Sequence, residues 1–387
     1  MLLQHIPPPD EIFQLNSQFL ADPRKDKING GIGVFLDNLG NPYVLPVVSK
    51  AIKFLTYKNF NYLPISGDPL FLEESAKLVF GSPYFFEYKD YIAKQGAVGG
   101  TNGLYIWGSV ITDTTPSPKI IISRPSWENH LKIFTRLGFQ IIEYEHIGRD
   151  KKFNYEGLRK TLVQNPNSYI LFHGGSTHNP TGVNPGKDQW IQLEHLLKRT
   201  HNKVLFDFAY MGLGESVQID RRPIQLFVKV KIPLSVVISY SKNMGLYQHR
   251  VGAILTICSS KKEKEIEERY FTNVFRIVNS NPPAFGEYIV KTVLCSRYLK
   301  DEWFHNMKSM VQNLRQRRKL FAMYSGKRFN HVIHEKGLYS LIDIGKDQVR
   351  TLKNESGIYL LSNGRINFGG ISLHNIPKVA EAIRKLS

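Results

Sequence analysis

Short runs of apolar, often β-branched residues alternate with longer amphipathic stretches through the middle of this 387-residue chain, and few architectures accept that pattern. The runs fall at residues 119–123, 168–173, 203–207 and 235–239, and helical spacing marks residues 129–137 and 188–200 between them. A strand that is apolar on both faces must be covered on both. The pattern therefore predicts an α/β domain with a mainly parallel central sheet flanked by helices. In such sheets a ligand lies outside the carboxyl ends of the strands. Polar residues bunch at those ends here: Arg124, His173, Asp207, and Ser241 with Lys242.

After residue 285 the pattern changes. A long helical stretch over 302–324 leads to a smaller unit, read as strand (339–343), helix (346–356), strand (358–361), strand (365–368) and helix (377–386). The expected organisation is an N-terminal arm with part of the small domain over 1–35, a large domain over 36–300, and a small α+β domain over 301–387, joined by the long helix. Pro7-Pro8-Pro9 fits neither a helix nor the interior of a sheet and reads as an extended arm.

Composition excludes several classes. Apolar content of 42% and aromatic content of 12% are globular values. Two cysteines, Cys258 and Cys295, are too few for a disulfide framework and fit a reducing compartment. The first residues lack the basic region and apolar run of a signal peptide, and no stretch nears the ~20 apolar residues of a membrane span. A cytoplasmic protein with no membrane partner is expected. The net charge of +18 is scattered: residues 261–269 mix signs, and the basic stretch 315–319 has no aromatic interleaving. Specific nucleic-acid binding is thereby disfavoured, while acidic substrates are favoured.

Chemistry concentrates where the run 233–238 ends, in Ser239-Tyr240-Ser241-Lys242-Asn243 with Arg250 eight positions past the lysine. Lys242 is either an ordinary solvated residue or, leaving an apolar core where desolvation favours the neutral amine, a partner for imine chemistry. Serine hydroxyls and an arginine are what a phosphate needs, so the inventory suits pyridoxal 5'-phosphate.

Four further segments occur in order with it: His178-Asn179-Pro180-Thr181-Gly182, Asp207-Phe208-Ala209-Tyr210, Ser280-Asn281-Pro282-Pro283 and Gly364-Arg365-Ile366-Asn367. Together, from Ile32-Gly33-Val34 to Arg365, they resemble the aspartate aminotransferase family of class I aminotransferases, enzymes of fold type I. The resemblance implies that Lys242 forms the imine with pyridoxal phosphate and then shuttles the substrate proton. It implies that Asp207 pairs with the pyridine nitrogen and that Tyr210 and Asn179 hydrogen-bond the phenolic oxygen. Trp127 would stack on the ring. Gly99-Gly100-Thr101, Ser239, Ser241 and Arg250 would hold the phosphate, with Tyr62 reaching in from a partner subunit. His130 and His173 match histidines behind the aspartate, as tuning residues or as core residues.

Substrate class turns on two arginines in this resemblance. Arg365 would bind the α-carboxylate beside Gly33, with Trp127 and Asn179 also facing the substrate. Arg276 would bind a distal carboxylate from the neighbouring subunit, which requires a homodimer with shared active sites. The implied activity is amino transfer between aspartate or glutamate and 2-oxoglutarate or oxaloacetate by a ping-pong cycle; the alternative is an aromatic-amino-acid aminotransferase. Two departures stand out: Gln248-His249 before Arg250, where the family usually carries a glutamate, and Gly174-Gly175-Ser176-Thr177, where small apolar residues are usual.

Overall fold

The computed structural model describes residues 10–55 and 61–386. The Pro7-Pro8-Pro9 arm lies outside the described residues. The chain divides into two compact units, one of Val44–Asn179 and Val183–Val311, the other of Met1–Tyr43, Pro180–Gly182 and Gln312–Ser387.

The larger unit is built on a seven-stranded sheet. In chain order its strands are β1 (Ile92–Ala97), β2 (Lys119–Arg124), β3 (Gln140–Glu145), β4 (Tyr169–Phe172), β5 (Lys203–Phe208), β6 (Leu234–Ser239) and β7 (Gly252–Ile257). Their spatial order is β1-β7-β6-β5-β4-β2-β3. The pairs β2/β3, β2/β4, β4/β5 and β5/β6 are parallel, whereas β7 runs antiparallel to both of its neighbours. Every residue of β4 and β6 is buried, as helices on both faces require. The main core joins Ile120, Ile122, Leu205, Val237 and Ile254 of the sheet to Leu104, Trp107 and Phe134 of the covering helices.

Strand β7 matters for the site. Ser239, the last residue of β6, pairs with Gly252, the first of β7. The chain therefore turns back at the carboxyl edge of the parallel strands. Arg250, two residues before β7, is delivered to the same edge as Lys242. Sequence reasoning placed the runs at 119–123, 168–173, 203–207 and 235–239; it passed over β1, β3 and β7.

In the smaller unit, Ile28–Asn29 pairs parallel with Ile358–Tyr359, and Tyr339–Leu341 pairs antiparallel with Arg365–Asn367. The strand expected over 358–361 stops at Tyr359 because its partner is only two residues long. Within the segment read as an arm, residues Glu11–Ala21 form a helix; Asp10 caps it by accepting from the amides of Ile12 and Phe13 at 3.0 and 3.2 Å. The helix Arg297–Ser325 is continuous and begins five residues before the expected start at 302. Among the described residues, no helix is long and apolar enough to cross a membrane.

One buried acid in the larger unit has a thermodynamic consequence. Glu287 is 2% exposed and accepts a 2.6 Å hydrogen bond from the Asp68 amide, and burial pushes its carboxyl up to about 8. The unfolded chain releases this proton near the ordinary glutamate value, so between there and about pH 8 the folded state holds a proton the unfolded state lacks. Stability from this group is present at acid pH and lost as pH rises. Glu287→Gln is expected to gain on the wild type in melting temperature between pH 5 and 8.5, by on the order of a few degrees. An equal gap at both pH values would place the titration elsewhere.

Candidate active site

The carboxyl edge of the sheet encloses a cavity of about 170 Å³. Most lining residues reach it from the end of a strand, with Arg250 two residues before β7. β1 leads to Gly100 and Thr101 in the first turn of the helix Gly99–Thr114; β2 leads to Trp127 and His130; β4 leads to His173 and Asn179. Asp207 sits at the end of β5, followed by Ala209 and Tyr210, and Ser239, Ser241 and Lys242 end β6.

The phosphate-suited end is a cradle of small residues, amides and a cation. Arg250 donates to Ser241 Oγ and to the Tyr247 carbonyl, each at 3.3 Å, and Ser239 Oγ donates to Ser241 Oγ at 3.1 Å. The first-turn amides of the helix Gly99–Thr114 are free of intrahelical partners and favour negative charge. Gly99 has φ +76°, and a Cβ there would lie 2.5 Å from Arg250 Nη2. Glycine is thus required twice over, by backbone and by contact.

At the other end, Asp207 is 8% exposed, and its Oδ1 has no hydrogen-bond partner among the described residues. Its Oδ2 accepts from His130 Nε2 at 2.8 Å. Behind His130 the polarity of the hydrogen bonds can be assigned. The Asn179 amide donates to His173 Nδ1 at 3.3 Å, so neutral His173 carries its proton on Nε2 and donates to Ser126 Oγ at 3.0 Å. That hydroxyl donates to His130 Nδ1 at 3.1 Å, which leaves Nε2–H of His130 for the carboxylate. Burial, followed by the neighbouring His130 and His146, keeps His173 far below the ordinary histidine value and hence neutral. The donors of this chain all point toward Asp207.

Tyr210 and Asn179 meet on one wall, with Asn179 Nδ2 donating to Tyr210 Oη at 3.5 Å, and the Lys242 ammonium lies 5.1 Å from the Tyr210 ring centroid. The Trp127 ring stands edge-on to His130 at 5.0 Å. The donor set thus suits a flat aromatic ring bearing a protonated nitrogen for Asp207, an oxygen acceptor for Tyr210 and Asn179, a phosphate for Arg250, and a carbonyl carbon for Lys242. The pyridoxal phosphate implied by the sequence resemblance has each of these features.

The profile of the family described as "Aminotransferase class I and II" matches residues 25–383 of this chain. The chain belongs to the class I and II aminotransferases. It is 33% identical over 385 residues to the aspartate aminotransferase of Salmonella typhi, covering 97% of each sequence. Among solved structures, the aspartate aminotransferase from the cytoplasm of Saccharomyces cerevisiae superposes with a TM-score of 0.95 at 27% identity, covering 99% of this chain and 97% of that one. The aromatic-amino-acid aminotransferase of Burkholderia pseudomallei, covalently bound to pyridoxal phosphate, gives 0.93 at 31% identity, covering 99% and 98%.

Four residues named from the sequence lie away from this cavity or in the other unit. Tyr62 is 83% exposed, and Arg276 is exposed on the helix Lys261–Val278, donating to Ser280 Oγ at 2.6 Å. Arg276 lines a separate groove of about 730 Å³ with Ile65 and Thr272. In the smaller unit of this aminotransferase, buried Arg365 donates to the Gly31 carbonyl at 2.8 Å and its guanidinium lies 4.5 Å from the Tyr339 ring centroid. Gly33 leaves room for the Tyr339 hydroxyl, which a Cβ would meet at 2.6 Å.

Of the residues behind the site, the sequence named His130 and His173 and missed Ser126 and His146. Ser126 had a signal in its position next to Trp127. His146 had none: its ring stacks on His178 at 3.5 Å, and His178 stacks on His173 at 4.2 Å. Burial lowers His146 to about 4, so this column is uncharged at neutral pH. The departure His249 faces the Phe285 ring at 5.4 Å.

Proposed function

We propose that this aminotransferase binds pyridoxal 5'-phosphate through Lys242 and moves an amino group between aspartate or glutamate and 2-oxoglutarate or oxaloacetate. The observation that carries the reading is the open oxygen of Asp207, backed by a one-way chain of donors, in a cavity shared with Lys242 and Arg250. When bound, the cofactor supplies a carbonyl that captures the amino nitrogen and a ring that takes up electrons from the Cα–H bond. The residues of the chain do the rest. Asp207 holds the proton on the ring nitrogen. Tyr210 and Asn179 would donate to the ring oxygen, and Trp127 would stack on the ring. The amine of Lys242, which would link to the cofactor's carbonyl carbon, would serve as the base that moves the substrate's Cα proton. Gly99, Gly100, Thr101, Ser239, Ser241 and Arg250 anchor the phosphate so that the ring stays put while the other bonds change.

In this reading Arg365 grips the α-carboxylate as a bidentate fork, alongside Gly33. Arg276 takes the second carboxylate and Tyr62 the phosphate, each in the active site of a partner subunit, so the working form is a homodimer. The exposure of Tyr62, Arg276 and Ile277 (75% exposed) supports a partner surface there. A cytoplasmic location is proposed with it, supported by the cytoplasmic relative. The domain limits proposed from sequence, near 35 and 300, stand beside the two units described above.

Aromatic specificity is the second reading, favoured by the Burkholderia relative's name. An absorbance spectrum of the purified protein, taken before and after aspartate and, separately, phenylalanine, tests both. A visible-edge band that aspartate alone bleaches supports the dicarboxylate reading, equal bleaching by both supports the aromatic one, and no band after incubation with the cofactor rejects both. Gly99→Ala is expected to raise the Kd for pyridoxal phosphate about 10- to 100-fold, because the new methyl displaces Arg250. Titration of Trp127 fluorescence measures this; a Kd within about 3-fold of wild type would show that the cradle tolerates the methyl.

A further inference from the structure

Two loops carry Asn179 and Tyr210 into the cavity, and a single carboxylate outside the cavity holds both. Asp220 closes the short helix Val217–Asp220 and is 1% exposed. Its Oδ2 accepts from the amides of Gly212 at 2.8 Å and Gly214 at 3.1 Å, and its Oδ1 accepts from the Glu215 amide at 3.1 Å. These three amides belong to the turn that directly follows Tyr210. Oδ1 also accepts from the hydroxyl of Ser176, which lies in the other loop, three residues before Asn179.

The surfaces between the loops are made for this contact. Gly212 has φ +87°, and a Cβ on it would meet Val217 Cγ2 at 2.9 Å. A Cβ on Gly175 would collide with the Asp220 carbonyl, and one on Gly214 with Ser176 Oγ. Ser176 belongs to the Gly174–Thr177 stretch, one of the two departures noted in the sequence, and its hydroxyl is the one bonded to Asp220.

We infer that Asp220, bonded to Ser176, is a positioning residue that fixes Tyr210 and Asn179 relative to each other, and so sets the hydrogen bonds they offer the cofactor's ring oxygen. The inference rests on the function proposed above. Neither Asp220 nor Ser176 lines the cavity, so the effect must pass through the two loops. The clamp depends on its donors. Burial pushes the Asp220 carboxyl up to about 6, while the Ser176 hydroxyl and the amides of Gly214, Gly212 and Glu215 pull it down. Removing the serine donor both unties one loop and weakens the anion that holds the other.

The test compares wild type, Ser176→Ala, Asp220→Asn and the control Ser235→Ala. The control removes a buried hydroxyl bonded to Thr256 Oγ1 at 2.9 Å, near the opposite end of β6. Three quantities are read: amide exchange at 212–215 in the cofactor-free protein, Kd for pyridoxal phosphate by Trp127 fluorescence, and kcat with KM for aspartate. Expected in both test variants are exchange at least about 10-fold faster at those amides, a Kd raised about 10-fold, and kcat lowered about 10- to 100-fold with KM changed less than about 3-fold. Ser235→Ala shows none of these shifts. If Asp220→Asn does not fold, Ser176→Ala decides alone. Faster exchange with Kd and kcat matching the control would overturn the inference, since the hydrogen bonds would then serve stability only. A wild type that neither binds the cofactor nor turns over aspartate would overturn the functional reading and the inference with it; a working wild type with control-like variants overturns the inference alone.

Discussion

Lys242→Ala is expected to lower kcat by about 10⁴-fold or more, while pyridoxal phosphate still binds within about 10-fold of wild type. The lysine has two tasks in the proposed cycle, linking to the cofactor and moving the Cα proton. Among the described residues, no other amine stands among the cavity-lining side chains to take over either of them. Binding survives because the anchors at the phosphate end, Arg250 with Ser239 and Ser241, do not depend on the lysine. Borohydride reduction followed by mass spectrometry gives a second readout, with the cofactor fixed to the wild type at Lys242 and absent from the variant. Retention of more than a tenth of the wild-type turnover would remove Lys242 from the mechanism.

The second large effect is expected at Asp207. Asp207→Asn keeps the shape of the side chain and removes its charge, and turnover should fall about 10³-fold. The proton on the ring nitrogen loses its anionic partner, and the donors of His130, Ser126 and His173 then point at an amide instead of a carboxylate. Asp207→Glu should recover part of the loss, because it restores the charge at imperfect distance. Kinetics of all three proteins under saturating cofactor check this. A loss under about 10-fold in Asp207→Asn would mean that the ring is held electron-withdrawing by other groups.

Much of this site could be read along the chain because its parts are short and contiguous. Ser239, Ser241, Lys242 and Arg250 lie within twelve residues, and Asp207 with Tyr210 within four. A strand end and the loop after it travel together, so local order alone brings such groups to one edge of a parallel sheet. The direction of β7 was harder to see. Its residues are as apolar as those of a parallel strand, and the twelve residues between Ser239 and Gly252 sit at the lower limit of the crossover that a parallel neighbour needs.

Of the support behind the site, the resemblance named His130 and His173, but the contacts that tie the support together had no signal along the chain. His130 and Asp207 are 77 residues apart, and Ser176 and Asp220 are 44 apart. Neither pair shares a periodicity or a motif spacing.

What the sequence by itself determined is the class of architecture and the chemical inventory at the strand ends. Alternating buried strands and amphipathic helices have few ways to cover their apolar faces, and a lysine beside hydroxyls and an arginine at one strand end suits few chemistries. What only the tertiary structure decided is how that inventory is oriented. Sheet order sets β4 beside β5 and brings the loop after β2 against both, and from this follow the one-way donor chain onto Asp207 and the Asp220 clamp across two loops. A hydrogen bond requires two groups within about 3 Å at a fixed angle, and across such sequence separations only the packed fold supplies that.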